Sequence, residues 1–197
     1  KGGQVSGSGG TTSSSTSTSK DDTKTLAAIE SDAKNVEKSV AALQETGDKS
    51  LFKEVTKTDK DGNKTTGYDT DAIYKDFTDS YNSLLDEVGD SNTKSILRAG
   101  ASMVSVTEAN RRSLSDIGIS IGADNKLTID EEKFKKADMG KVKTMFADNS
   151  YYGTEVKRQA SRAESYAKSE AAKANTYQKS GSYTYNYRTG ELYNSKI

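Results

Sequence analysis

Apolar residues recur at intervals of three and four from Leu26 through Ile29, Ala33, Val36 and Val40 to Leu43. That spacing draws a narrow stripe along one side of a helix, predicted over about residues 24–46, with Asp22 as its N-cap and Gly47 as its stop. The rhythm then breaks. Phe52, Val55 and Thr65-Thr66 flank the turn Asp59-Lys60-Asp61-Gly62-Asn63-Lys64, and an Asp-Gly between short β-prone runs predicts a hairpin within 51–68. Helical spacing returns at Ile73, Phe77, Tyr81, Leu84, Leu85 and Val88, so a second helix is expected from the capping run Asp69-Thr70-Asp71 to about Val88. A third is expected over about 93–113, with Ile96, Leu97, Met103, Val104 and Leu114 as its apolar set and Gly100-Ala101 allowing a close neighbour.

Ile117, Ile119 and Ile121 alternate with small residues, Gly122-Ala123-Asp124-Asn125 turns, and Lys126-Leu127-Thr128-Ile129 returns. These predict a second hairpin. Asp130-Glu131-Glu132 opens a short helix with acids in its first turn, and Phe134, Val142, Met145 and Phe146 are placed to pack that end against the strands. A last helix is expected over about 154–179. Its seam, Val156, Ala160, Ala163, Ala167, Ala171 and Ala174, is mostly alanine, which buries little area but permits narrow helix spacing. The pattern as a whole predicts a mainly α fold, an elongated antiparallel helical bundle with one or two small β-hairpins.

Composition sets the limits of that fold. Hydrophobic residues form 31% of the chain and charged residues 29%, so the core is expected to be thin. Three regions follow: a flexible Gly/Ser/Thr-rich tether over 1–21, the bundle over 22–179 and a Tyr-rich tail over 180–197. The tether reads as a linker or a glycosylated stalk. In the tail, Tyr183, Tyr185 and Tyr187 alternate, which suits either a small partner-binding hairpin or a disordered segment. The start Lys1-Gly2-Gly3-Gln4 has neither an initiator Met nor an apolar signal core, as expected for a chain with its leader removed or one that begins inside a longer protein.

Charge and missing residue types narrow the chemistry. Twenty-nine basic residues balance 29 acidic ones, which argues against nucleic-acid binding, and no apolar run is long enough to span a membrane. With no Cys and no His, thiol nucleophiles, Ser-His triads and most zinc sites are excluded. The absence of Pro suits long helices. Aligning Asp59, Asp61 and Gly62 to a calcium-loop pattern puts Lys57 at its first ligand and Tyr68 at its last, which defeats the site. No catalytic, cofactor or metal residues are therefore assigned, and an enzyme is not expected.

Several segments carry a family resemblance. Phe77-Thr78-Asp79-Ser80-Tyr81-Asn82-Ser83-Leu84-Leu85 is followed by Leu114-Ser115-Asp116-Ile117-Gly118-Ile119, then Asp124-Asn125-Lys126-Leu127-Thr128-Ile129-Asp130-Glu131, then Val142-Lys143-Thr144-Met145-Phe146. In this order, over roughly residues 73–146, they resemble the carboxy-terminal helical region of bacterial flagellar filament-capping proteins, also called hook-associated protein 2. Tyr81, Asn82, Ile117, Gly118, Ile119, Leu127 and Asp130 carry the likeness. The alanine seam of the last helix and the Tyr-rich tail depart from it. The resemblance implies a structural or assembly protein that docks and does not catalyse, at the cell surface or outside the cell in a flagellum, with flagellin or copies of itself as partners. Leu26, Ile29, Val36, Val40 and Leu43, with Ala163, Ala167 and Ala171, are the candidate packing or assembly seams, as internal core or as intermolecular coiled coil. A second reading is a tethered, secreted or cell-surface binding module, an adhesion protein built on the same bundle. Truncation after Lys179 separates the two by whether partner binding is lost.

Overall fold

The computed structural model describes residues 19–174, and the tail and nearly all of the tether lie outside them. Helix α1 spans Thr23–Gln44, and the Asp22 carboxylate accepts the Thr25 amide at 2.7 Å, satisfying one of the amides a helix start leaves orphaned. Its stripe, from Leu26 to Leu43, is buried throughout. A single 3-10 turn at Gly47–Lys49 follows, with Gly47 in the left-handed region at φ 63°. Strands β1 (Glu54–Thr58) and β2 (Lys64–Tyr68) form the first hairpin, in register Glu54↔Tyr68 to Thr58↔Lys64. Asp59 organises its turn: Oδ1 accepts the amides of Asp61 and Asn63, both at 2.9 Å.

Helix α2 spans Thr70–Gly89 and is capped by Asp69. Helix α3 covers Lys94–Ala109 and α4 covers Arg111–Asp116. Strands β3 (Ile119–Ile121) and β4 (Leu127–Ile129) form the second hairpin. Helices α5 (Glu131–Lys135) and α6 (Met139–Phe146) lead to α7, Tyr151–Ala174. The described residues thus form a mainly helical, antiparallel bundle with two small hairpins.

Four long helices make the body. Helix α1 packs on both α7 and α2, and α3 packs on α7 and, less extensively, on α2. Gln44 meets Thr154 at 3.1 Å and Lys34 meets Glu164 at 3.7 Å, so α1 and α7 run in opposite directions. Ser39 and Ser80 bond at 3.1 Å between α1 and α2. Alanines 160, 163 and 167 are buried on α7, and their small side chains let a neighbouring helix approach closely. Gly100 has the same role between α2 and α3, since a Cβ there would overlap Val88 Cγ1.

Several details differ from the sequence expectation. The third helix does not run through to 113 but breaks at Asn110, whose side-chain amide donates back to Val106 O at 2.8 Å. An Asn offers the backbone this alternative to continued helix. Leu97, expected in the apolar set, is 39% exposed. Ile117 is buried but ends α4 instead of joining the strand. Helix α7 starts at Tyr151, three residues earlier than 154, and α6 is a separate helix with Asp138 accepting the Gly140 amide at 2.8 Å. At the other end, Asp21 is buried: it accepts Ser91 Oγ–H at 2.7 Å and the Asn92 amide, pinning the start of α1 to the α2–α3 loop. These bonds hold its carboxyl below the usual aspartate range despite the opposing effect of burial.

Candidate functional site

The second hairpin gathers the residues that set this chain apart in sequence. Ile119 and Ile121 on β3 and Leu127 on β4 point into the bundle, while Ser120 and Thr128 face solvent. Asn82, one helix away, clamps the hairpin down. Its Nδ2 donates to Leu127 O at 2.9 Å and its Oδ1 accepts the Leu127 amide at 2.8 Å, so one side chain pairs the backbone of β4 as a neighbouring strand would. One turn further along α2, Asp86 accepts Lys126 Nζ at 2.7 Å. That exposed pair adds little stability by itself. Replacing Asn82 by alanine should destabilise the protein by about 1–3 kcal/mol, because two half-buried backbone groups lose their partner. Urea denaturation of the variant checks this, with a midpoint unchanged from wild type as the contrary result.

Gly118 makes the corner ahead of β3. Its φ is 89°, where side chains rarely fit, and a Cβ would lie 2.8 Å from Phe134 N and 2.9 Å from Asp130 O. Gly118 O accepts the Asp130 amide at 2.8 Å, and the Asp130 carboxylate accepts the Lys133 amide at 3.0 Å to start α5. The Ile-Gly-Ile and Leu-Thr-Ile-Asp segments are thus one folded unit: the glycine lets the start of α5 sit directly on the strand entry, and the isoleucines anchor it.

Beneath this unit lies a cluster of rings and hydroxyls. Phe77 stacks edge-on against Phe146 at 5.0 Å and Tyr152 at 6.1 Å between centroids, with Tyr81 tilted at 6.1 Å. Tyr74 meets Phe134 at 5.0 Å. Thr107 Oγ1 donates to Met103 O at 2.9 Å and lies 3.3 Å from the Tyr152 hydroxyl. The Tyr81 hydroxyl is buried beside Thr107 without a well-formed hydrogen bond. Desolvation pushes the Tyr81 phenol up to about 12, and that of Tyr152 upward as well. Neither phenol is poised for proton transfer near neutral pH.

Leu26, Ile29, Val36, Val40 and Leu43 are all buried against this chain's own helices, as are Ala163 and Ala167, while Ala171 is half-buried. Tyr183, Tyr185 and Tyr187 lie outside the described residues. Tyr152 and Thr107, both central, were not anticipated: Tyr152 lies ahead of the helix start expected at 154, and Thr107 is a polar residue outside the apolar set of the third helix. Among the described residues no cluster of three or more acidic side chains is arranged to hold a metal ion, and no helix is long and apolar enough to cross a membrane.

A family model described as flagellar hook-associated protein 2 C-terminus matches residues 88–196. The chain belongs to this family. The hook-associated protein 2 match shares residues 88–146 with the segment whose motifs carry the resemblance, including Ile117, Gly118, Ile119, Leu127 and Asp130. Tyr81 and Asn82 precede it. The alanine-seamed α7 and the Tyr-rich stretch, which depart from the expected family pattern, fall inside the matched residues. No curated protein and no solved structure gives a significant match.

Proposed function

We propose that the chain is a structural component of the bacterial flagellum that works by docking, as the helical stem of a filament cap, with flagellin or further copies of itself as partners. Membership of the hook-associated protein 2 C-terminal family is the observation that carries this reading. The bundle supports it physically. Its large side chains close on one another: Tyr81, Tyr152, Phe77 and Phe134 are fully buried. The outer faces carry short-range ion pairs such as Lys75–Asp79 at 2.9 Å and Lys135–Glu131 at 3.5 Å. A module of this kind keeps its shape while presenting a polar surface, and contacts with partners then fall to charged and tyrosine side chains. Tyr151, 70% exposed at the start of α7, is one such position. In the same reading the bundle is the docking domain, and the segments before residue 22 and after residue 179 are polar extensions of it.

The test is removal of the gene from the source cells. Cells lacking the protein are expected to release flagellin into the medium with few or no filaments, and a plasmid copy should restore them. Filaments of normal number and length in the deletion strain would overturn the proposal.

A further inference from the structure

Beyond its base, the β1–β2 hairpin is exposed on both faces, with Thr56 and Thr66 on one and Lys57 and Thr65 on the other. Among the described residues no third strand pairs with it, and a sheet of two strands is only marginally stable in water. Its hydrogen-bond phase is fixed by the turn. The Asp59 amide donates to Asn63 O at 2.9 Å, which makes these two a bonded pair in the register that runs from Glu54↔Tyr68 to Thr58↔Lys64. Bonded and non-bonded pairs alternate along an antiparallel ladder. Lys57↔Thr65 and Val55↔Gly67 are therefore bonded, while the amides and carbonyls of Lys64, Thr66 and Tyr68 point outward from β2. In keeping with that phase, the close side chains of the non-bonded pair Thr56 and Thr66 join by their hydroxyls at 2.9 Å.

An open edge of this kind is a template for another strand unless a proline, a bulge or a charge blunts it. The chain has no proline, and the unbroken register leaves no bulge. Lys64 is the one charged residue of β2. It guards the edge against strands in general, but not against one that offers it a complementary row.

We propose that β2 pairs with β2 of a second copy of this chain, antiparallel about a two-fold axis that passes through Thr66 perpendicular to the sheet. In that register the edge is complementary to itself. Thr66 faces Thr66, and Lys64 of each copy faces Tyr68 of the other, so the outward amides and carbonyls of all three residues are bonded. The charges agree. Tyr68 lies opposite Glu54 within its own hairpin, so Lys64 of one copy meets a ring backed by a carboxylate in the other. Lys143 Nζ stands 5.6 Å from the Tyr68 centroid, and Glu54 offsets the like charge that a second cation brings. The β1 edge lacks this fit, since a two-fold at Thr56 sets Glu54 against Thr58 and Lys57 against Val55. The hairpin joins the bundle at its Glu54–Tyr68 end, so antiparallel pairing sends the two bundles to opposite ends of a four-stranded sheet. Pairing of this kind needs no flagellum, and purified protein reads it independently of the docking role.

The experiment is analytical ultracentrifugation of the full chain from about 10 μM to about 1 mM, where a reversible monomer–dimer equilibrium is expected, weak because the contact is small. Thr66→Pro removes an outward amide that β1 does not use, and is expected to weaken the dimer by about tenfold or more while the helical circular dichroism stays unchanged. Lys64→Glu sets like charge against Glu54 and should weaken it too, most at low salt. The chain has no cysteine, so single cysteines report neighbours cleanly. Under mild oxidation Thr66→Cys should give a disulfide-linked dimer, since bonded pairs with Cα atoms about 5.5 Å apart lie within disulfide range. Thr56→Cys should not, because β2 of both copies would lie between the two sulfurs. A chain that stays monomeric throughout, a dimer that either Thr66→Pro or Lys64→Glu leaves unchanged, or a disulfide that forms as readily at Thr56 as at Thr66 overturns the proposal. If Thr66→Pro fails to fold, Lys64→Glu and the two cysteine variants decide.

Discussion

Substituting alanine for Gly118 should destabilise the protein by about 3 kcal/mol or more and free the β3–β4 hairpin from the bundle. Two costs add at this position. The backbone at φ 89° is strained for any residue with a Cβ, and the new atom would be driven into Phe134 N and Asp130 O. Both obstacles are backbone atoms, which cannot rotate away as a flexible side chain could. Relief requires α5 to lift from the strand entry, breaking the Gly118 O to Asp130 N bond and withdrawing Phe134 from its ring contact with Tyr74. Thermal and urea denaturation measure the loss, and the amides of Ile119, Ile121 and Leu127 should exchange early. A Gly118→Ala protein as stable as wild type would show that the corner is not rigid.

Phe77→Ala should remove about 3–5 kcal/mol, the usual range for an aromatic deleted from a packed core. Phe77 is 1% exposed and is the ring that Phe146, Tyr152 and Tyr81 share, so its loss leaves a cavity bordered by α2, α6 and α7. Tyr151→Ala is the control. Its ring is adjacent in sequence to Tyr152 but 70% exposed, and the change should stay within about 0.5 kcal/mol. Denaturation midpoints of the two variants check the contrast. A small effect at Phe77 would mean that α6 and α7 pack without it.

Local patterns in the chain foretold much of this fold. The intervals of three and four in α1, the Asp59–Lys64 turn and the apolar spacing of α2 are short-range signals, and each element formed within a few residues of its expected place. What escaped depends on partners far along the chain. Asn82 and Leu127 are 45 residues apart, and nothing near Asn82 announces that its amide will mimic a strand. Tyr152 precedes the helix start expected at 154, yet it is 1% exposed, with its ring against Phe77 and Phe146 and its hydroxyl beside Thr107. Helix α6 has only a few apolar positions, too few for periodicity to declare it. The alternating isoleucines misled in one respect. Ile117 reads as strand, but Gly118 reverses the chain after it, and a positive φ leaves no mark in a hydrophobic pattern. The family motif was legible because this corner demands glycine and the hairpin demands its flanking isoleucines. The distinction between an internal seam and a docking seam was not, since the same stripe serves both until its neighbours are known.

The flagellar role is tested most directly by mass spectrometry of sheared, purified filaments from the source cells, quantified against flagellin, with culture medium and cell wall measured in parallel. The protein is expected to copurify with filaments at a small fraction of the flagellin amount, as befits a part confined to one site on each filament. Its absence from filaments, with abundance in the wall or medium, would contradict the role.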